Sequence, residues 1–168
     1  MSQGVPPEDR AVSEVPVRVW RVGRNPEAHY LLILRDGSGA LLPMTIGPCE
    51  ALAIWAMLHP GREAPGARQS RTHDLLCSLI ERLGGQLVKV VIDDLWNQVY
   101  YAKLHLAVDG KMLTVDARPS DSVAIALRLG APLFASPSVL DATHLGGESA
   151  AAREPAEEDS GQGLSEPE

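Results

Sequence analysis

The chain has 168 residues, a length that suits a single domain, and its composition of 45% hydrophobic and 22% charged residues permits a packed core. Aromatics make up only 4%, so that core must be built from Leu, Val, Ile and Ala, and no apolar run of about 18 residues is present to span a membrane. Of the 22 acids and 15 bases behind the net charge of −7, residues 148–168 hold seven and one, a local −6 that leaves −1 for the rest, without the basic surplus usual in a nucleic-acid-binding domain.

Residues 1–13 are polar and proline-rich and are expected to be disordered. The first ten, MSQGVPPEDR, lack the positive start and apolar stretch of a signal peptide. Val15, Val17 and Val19 alternate with Pro16, Arg18 and Trp20, the period of a half-buried strand. Asn25-Pro26 marks a turn. Tyr30 to Leu34 is an apolar run that predicts a more buried strand, and Asp36-Gly37 is a hairpin signal. Ala40 to Ile46 is the return strand, with Pro43 placing it at a sheet edge or a bulge.

Gly47-Pro48 opens a first helix, because proline at the first helical position loses no bonded N–H. Ala51, Ile54, Trp55 and Leu58 fall on one face of it, and His59-Pro60-Gly61 ends it. A loop over 60–71 carries Arg62, Arg68 and Arg71. Thr72 is suited to cap a second helix, whose buried stripe is expected to be Leu75, Leu76, Leu79, Ile80 and Leu83, ended by Gly84-Gly85. Cys49 and Cys77 lie in apolar helical patterns. They are expected as small buried thiols outside any disulfide framework, in a reducing, cytoplasmic setting.

Leu87 to Ile92 is a strand, with Asp93-Asp94 and a turn at Trp96 to Gln98 behind it. In the next strand Tyr100, Ala102, Leu104, Leu106 and Val108 share a face. Asp109-Gly110 is the strongest hairpin signal, and Lys111 to Val115 returns. A third helix runs Ser120 to Leu129 and stops at Gly130. Leu133 to Ala135 is a short strand, and Ser136 caps a last short helix. Hairpins outnumber βαβ units, so the expected fold is α+β, a mixed, largely antiparallel sheet with three main helices packed against it. The domain occupies 14–145, and the Gly-, Ser-, Glu- and Pro-rich residues 146–168 form a disordered acidic tail.

Four stretches stand together: Leu42-Pro43-Met44-Thr45-Ile46-Gly47 with Glu50-Ala51; Thr72-His73-Asp74-Leu75-Leu76; Val91-Ile92-Asp93-Asp94-Leu95 with Tyr100-Tyr101-Ala102; and Val115-Asp116-Ala117-Arg118-Pro119-Ser120-Asp121-Ser122. In this order and spacing the chain resembles the bifunctional nuclease domain of bacteria and plants, over about residues 15–140. The resemblance implies a single domain that degrades DNA and RNA.

The residues themselves admit two readings at each motif. A metal-dependent nuclease clusters carboxylates around Mg²⁺ or Mn²⁺, and Glu50, Asp93, Asp116 and Asp121 are the candidate ligands. Arg118 is placed to grip a phosphate, with His73 and Asp74 as assisting acid–base groups. Against this, Asp74, Asp121 and Glu50 all suit the positive end of a helix, Ser120 or Asp121 can cap one, and Asp93-Asp94 can be a solvated turn. His73 and Cys77, four residues apart, form one edge of a zinc site without the remaining ligands. A non-enzymatic binding module with an anion or small-molecule pocket near Arg118 is the alternative to the nuclease. A homo-oligomer, such as a dimer, is expected in either case.

Overall fold

In the computed structural model, which describes residues 13–61 and 72–146, the alternating valines form β1 (Val15–Arg24). β1 pairs antiparallel with β2 (Tyr30–Asp36), and β2 with β3 (Leu41–Ile46). Helix α1 (Pro48–Leu58) starts with its proline in the first turn, as the sequence predicts. Helix α2 (Thr72–Arg82) leads into the long hairpin of β4 (Gly85–Trp96) and β5 (Val99–Val108), and β5 pairs with β6 (Lys111–Ala117). Asn97-Gln98 and Asp109-Gly110 both take positive φ, the geometry of two-residue hairpin turns that follow the strand twist. Helix α3 (Pro119–Leu129) ends on the left-handed Gly130, and β7 (Leu133–Ala135) and α4 (Pro137–Gly146) complete the domain.

The seven strands form one sheet in the order β3-β2-β1-β7-β4-β5-β6. Only β4 and β7 pair in parallel, so the expected α+β fold with a mixed, largely antiparallel sheet is what the chain adopts, with four helices rather than three. The three-residue β7 joins the two halves, pairing with β1 on one side and β4 on the other. Pro43 lies in β3, at one edge, where a missing N–H breaks no ladder.

One core joins both halves. Leu32, Leu34, Leu42, Ile54, Val90, Ile92 and Val123 are fully buried in it. Each such aliphatic side chain contributes about 1.5–3 kcal/mol through burial, and together they hold α1 and α3 on the sheet.

Several expectations are corrected. Asp93-Asp94 is not a turn: β4 continues to Trp96, and Asp93 is the extra residue of a bulge against β5. In α2 the buried residues are His73 and Cys77, while Leu75, Leu76, Leu79 and Leu83 are exposed. The reason is the side on which α2 meets α3 and β4, which a periodic stripe does not specify. Thr72 is the first residue of that helix rather than the residue before it. Cys49 is exposed and Cys77 buried. Ser136 does cap α4, its hydroxyl accepting from the Val139 N–H at 3.3 Å. The Arg62, Arg68 and Arg71 loop lies outside the described residues, as do the disordered ends expected at 1–13 and 146–168, apart from residue 13 and Gly146. No described helix is long and apolar enough to cross a membrane.

Candidate active site

Two helix starts meet at one guanidinium, and a third joins them through Asp121. Arg118 stands at the N-cap of α3 in extended conformation, and Pro119 fixes the first helical position. This places Asp121 in the first turn, pointing back at Arg118. Arg118 Nε donates to Asp121 Oδ2 at 2.6 Å and Nη2 to Oδ1 at 3.1 Å, the planar fork that suits a carboxylate. The same Nη2 donates to Glu50 Oε1 in α1 at 2.7 Å. On the other side of Asp121, Oδ1 lies 3.1 Å from His73 Nε2 in α2.

Exposure grades across this cluster. The Arg118 side chain is 67% exposed, whereas Asp121 is 25%, Glu50 13% and His73 10% exposed. Anions thus lie below a cation that faces solvent. Burial alone would push the Asp121 carboxyl up, but hydrogen bonds from Arg118 and His73 outweigh it and hold the group below its ordinary value. The hydrogen bond to Asp121 and that carboxylate's charge push Arg118 up, with Glu50 adding to the effect.

Gly47 makes room for Glu50. A Cβ there would overlap Glu50 Oε2, the tip of a flexible side chain, so the carboxylate could not keep this position. The φ of Gly47 is −76°, so space rather than backbone freedom calls for glycine.

The remaining candidates lie elsewhere. Asp74 Oδ1 accepts from Arg128 Nε at 2.5 Å. The Arg128 side chain is only 8% exposed and also donates to the carbonyls of Ala53 and Ala124, binding α1, α2 and α3 together. Asp93 pairs with Lys103 across the β4–β5 ladder, and Asp116, 89% exposed, lies 4.0 Å from the same ammonium. The Asp93 contact pushes Lys103 up. Asp93 Oδ1 is buried with no hydrogen-bond partner. Asp94 accepts from the Leu95 N–H.

The four expected metal ligands therefore divide into two pairs, each held by a cation: Glu50 and Asp121 by Arg118, Asp93 and Asp116 by Lys103. Among the described residues no group of three or more His, Cys, Asp or Glu side chains is disposed to hold a metal, and the His73–Cys77 pair gains no further ligand. Sequence reasoning missed Lys103 and Arg128. The alternation of β5 puts Lys103 on the face away from Ala102 and Leu104, and that was the available signal for it. Nothing local marked Arg128, whose partners come from three helices.

A family model described as the bifunctional nuclease domain matches residues 32–146, which include every residue of the Arg118 cluster. An uncharacterized protein of Mycobacterium tuberculosis is 43% identical over 130 residues, 77% of this chain and 74% of that protein. Bifunctional nuclease 1 of Oryza sativa subsp. japonica is 29% identical over 129 residues, 74% of this chain and 37% of the rice protein. Bifunctional nuclease 2 of Arabidopsis thaliana is 23% identical over 111 residues, 64% of this chain and 32% of its own length.

Proposed function

The chain belongs to the bifunctional nuclease domain family, and on that premise we propose that it hydrolyses phosphodiester bonds of DNA and RNA at the Glu50–Arg118–Asp121 cluster. One observation carries the assignment: a largely exposed guanidinium gathers two partly buried carboxylates at 2.7 and 2.6 Å. Such a group exchanges one anion for another with little loss, since its fork fits phosphate as well as carboxylate.

In the proposed reaction Arg118 turns its donors to the scissile phosphate and offsets its charge. Glu50 and Asp121 are released towards the same phosphate. One of them accepts the proton of the attacking water as its oxygen bonds to phosphorus; the bond to the opposite oxygen breaks, that leaving oxygen takes a proton from solvent, and the carboxylate returns its own proton to solvent. His73 holds Asp121 in position through its ring nitrogen.

Mg²⁺ or Mn²⁺ is part of the proposal, with Glu50 and Asp121 as its protein ligands. Their oxygens already converge on one cation, and Mg²⁺ is commonly held by one or two carboxylates with phosphate oxygens and water completing the shell. Bound there, the ion would supply a Lewis acid for the phosphoryl oxygen and a more acidic water. Asp93 and Asp116 have no ligand role in this scheme.

The test is cleavage of labelled single-stranded DNA and RNA with Mg²⁺, Mn²⁺ or EDTA, beside Asp121→Asn. The expected result is EDTA-sensitive cleavage that falls about 10²–10⁴-fold in a variant that still melts cooperatively. Equal cleavage by both proteins, or none with any metal, refutes the scheme.

The scarcity of metal donors among the described residues favours a second reading, a binding module that takes an anion or small molecule at Arg118 without turnover. It predicts phosphate-ester binding that Arg118→Ala abolishes, and no product.

A further inference from the structure

The near-neutral domain conceals a local positive surface on β1 and β2. Arg18 lies directly opposite Arg35 in the ladder. Successive strand residues alternate faces, and Leu32 and Leu34 point into the core, so Arg35 and its partner Arg18 point away from it. A bulge interrupts β1 between Val19 and Arg21. The inserted residue turns both Trp20 and Arg21 outward while Val19 and Val22, on either side, still pack on the core. Trp20 is 51% exposed, and the Arg35 guanidinium lies 4.5 Å from the centre of its ring.

These three arginines are free of described anions. The ion pairs among the described residues use His29, His73, Lys89, Lys103, Arg118 and Arg128. On the same sheet Lys89 is satisfied by Glu14 and Lys103 by Asp93, and apart from Lys111 at the start of β6 the strand bases without a described ion pair are arginines of β1 and β2. Two arginines placed directly opposite each other repel, a cost that an anionic partner removes.

We propose that the outer face of β1 and β2 is a binding track for single-stranded nucleic acid, with Arg18, Arg21 and Arg35 on successive phosphates and Trp20 stacked on a base. The identity of the polyanion rests on the nuclease reading; the surface deepens it by naming the substrate class. A single strand fits better than a duplex because only an unpaired base offers its face to Trp20. The track faces away from the core on which α1 and α3 pack, so the sheet lies between it and the helices that carry the Arg118 cluster. It therefore holds the chain being cut rather than the bond being broken.

The experiment is fluorescence anisotropy of labelled oligothymidylate and oligouridylate with the full chain in EDTA, across a potassium chloride series. Replacing Arg18, Arg21 and Arg35 together by Ala is expected to reduce the slope of log K against log salt by about 2, since each phosphate contact on a single strand contributes roughly 0.7. The triple lysine variant retains the slope, which excludes misfolding as the cause. Trp20→Ala is expected to weaken binding about 5- to 150-fold with the slope unchanged, and Trp20→Phe to restore most of it. The proposal is overturned if wild type binds neither oligonucleotide, if the alanine triple variant binds unchanged, if a duplex binds as tightly as the single strand, or if polyglutamate competes equally. Binding that follows these expectations in a protein that never cleaves would defeat the nuclease reading alone. Cleavage that is indifferent to all four side chains would defeat the track alone.

Discussion

His73 Nε2 and Asp121 Oδ1 meet at 3.1 Å across 48 residues of sequence, joining the first turn of α2 to the first turn of α3. The contact satisfies a polar group on each helix where both are largely out of water. It also turns Asp121 so that its second oxygen faces Arg118. His73→Ala is expected to lower kcat for cleavage while leaving oligonucleotide affinity unchanged, and His73→Gln, which keeps a donor, to restore part of kcat. Equal loss in both variants would assign His73 a proton-transfer role instead.

The depressed Asp121 carboxyl makes part of the stability pH-dependent. A carboxylate whose folded value lies below its ordinary 3.8 stabilises the fold at pH above that value, and the contribution is lost as pH falls through the folded value. The difference in Tm between the native chain and Asp121→Asn is therefore expected to be constant near neutrality and to shrink below about pH 4. A gap that persists in acid would show that the variant perturbs packing rather than charge.

Gly47→Ala tests the place of Glu50. The added Cβ would overlap Glu50 Oε2, so the carboxylate is expected to shift and to loosen its bond to Arg118. Because the lost pair is partly exposed, the stability cost is expected to be about 1 kcal/mol or less in urea. Cleavage is expected to fall as far as in Glu50→Gln, and the double variant to be no worse than either single one. Additive losses would place Glu50 outside the reaction.

Asp74 is expected to matter for folding rather than for cleavage, because Arg128 engages its Oδ1. Arg128→Met removes the donors to Asp74, Ala53 and Ala124 and is expected to cost about 2 kcal/mol in chemical denaturation. Asp74→Asn should cost less and leave kcat within a few-fold. A loss of kcat on the scale of Asp121→Asn, without loss of stability, would bring Asp74 into the reaction.

Lys103 offers the opposite pH signature. Its value is raised by Asp93, so its contribution is present below the ordinary 10.5 and is lost as pH rises through the folded value. Lys103→Met leaves Asp93 unpaired in its bulge and is expected to cost about 1 kcal/mol at neutral pH, with the deficit vanishing in strong alkali. A deficit unchanged at high pH would attribute the loss to the lysine stem and not to its charge.

Local signals sufficed for most elements. Proline at the start of α1, glycine after α3, the Asp109-Gly110 turn and the alternation of β5 each act within a few residues, and each took the expected form. The same locality explains the failures. The leucines of α2 announce an amphipathic helix, but which side is buried depends on where α3 and β4 lie, and these placed His73 and Cys77 inward. The Asp93-Asp94 pair reads as a turn because acidic residues favour turns, yet the partner strand β5 carries β4 past it through a bulge. The sequence by itself named Glu50, His73, Arg118 and Asp121 as candidates. Only tertiary packing decided that they share one cluster, that Asp93 and Asp116 belong to Lys103, and that Arg18, Trp20, Arg21 and Arg35 form one surface. Long-range contacts are set by how helices and strands dock, and a charge count along the chain cannot tell paired arginines from unpaired ones.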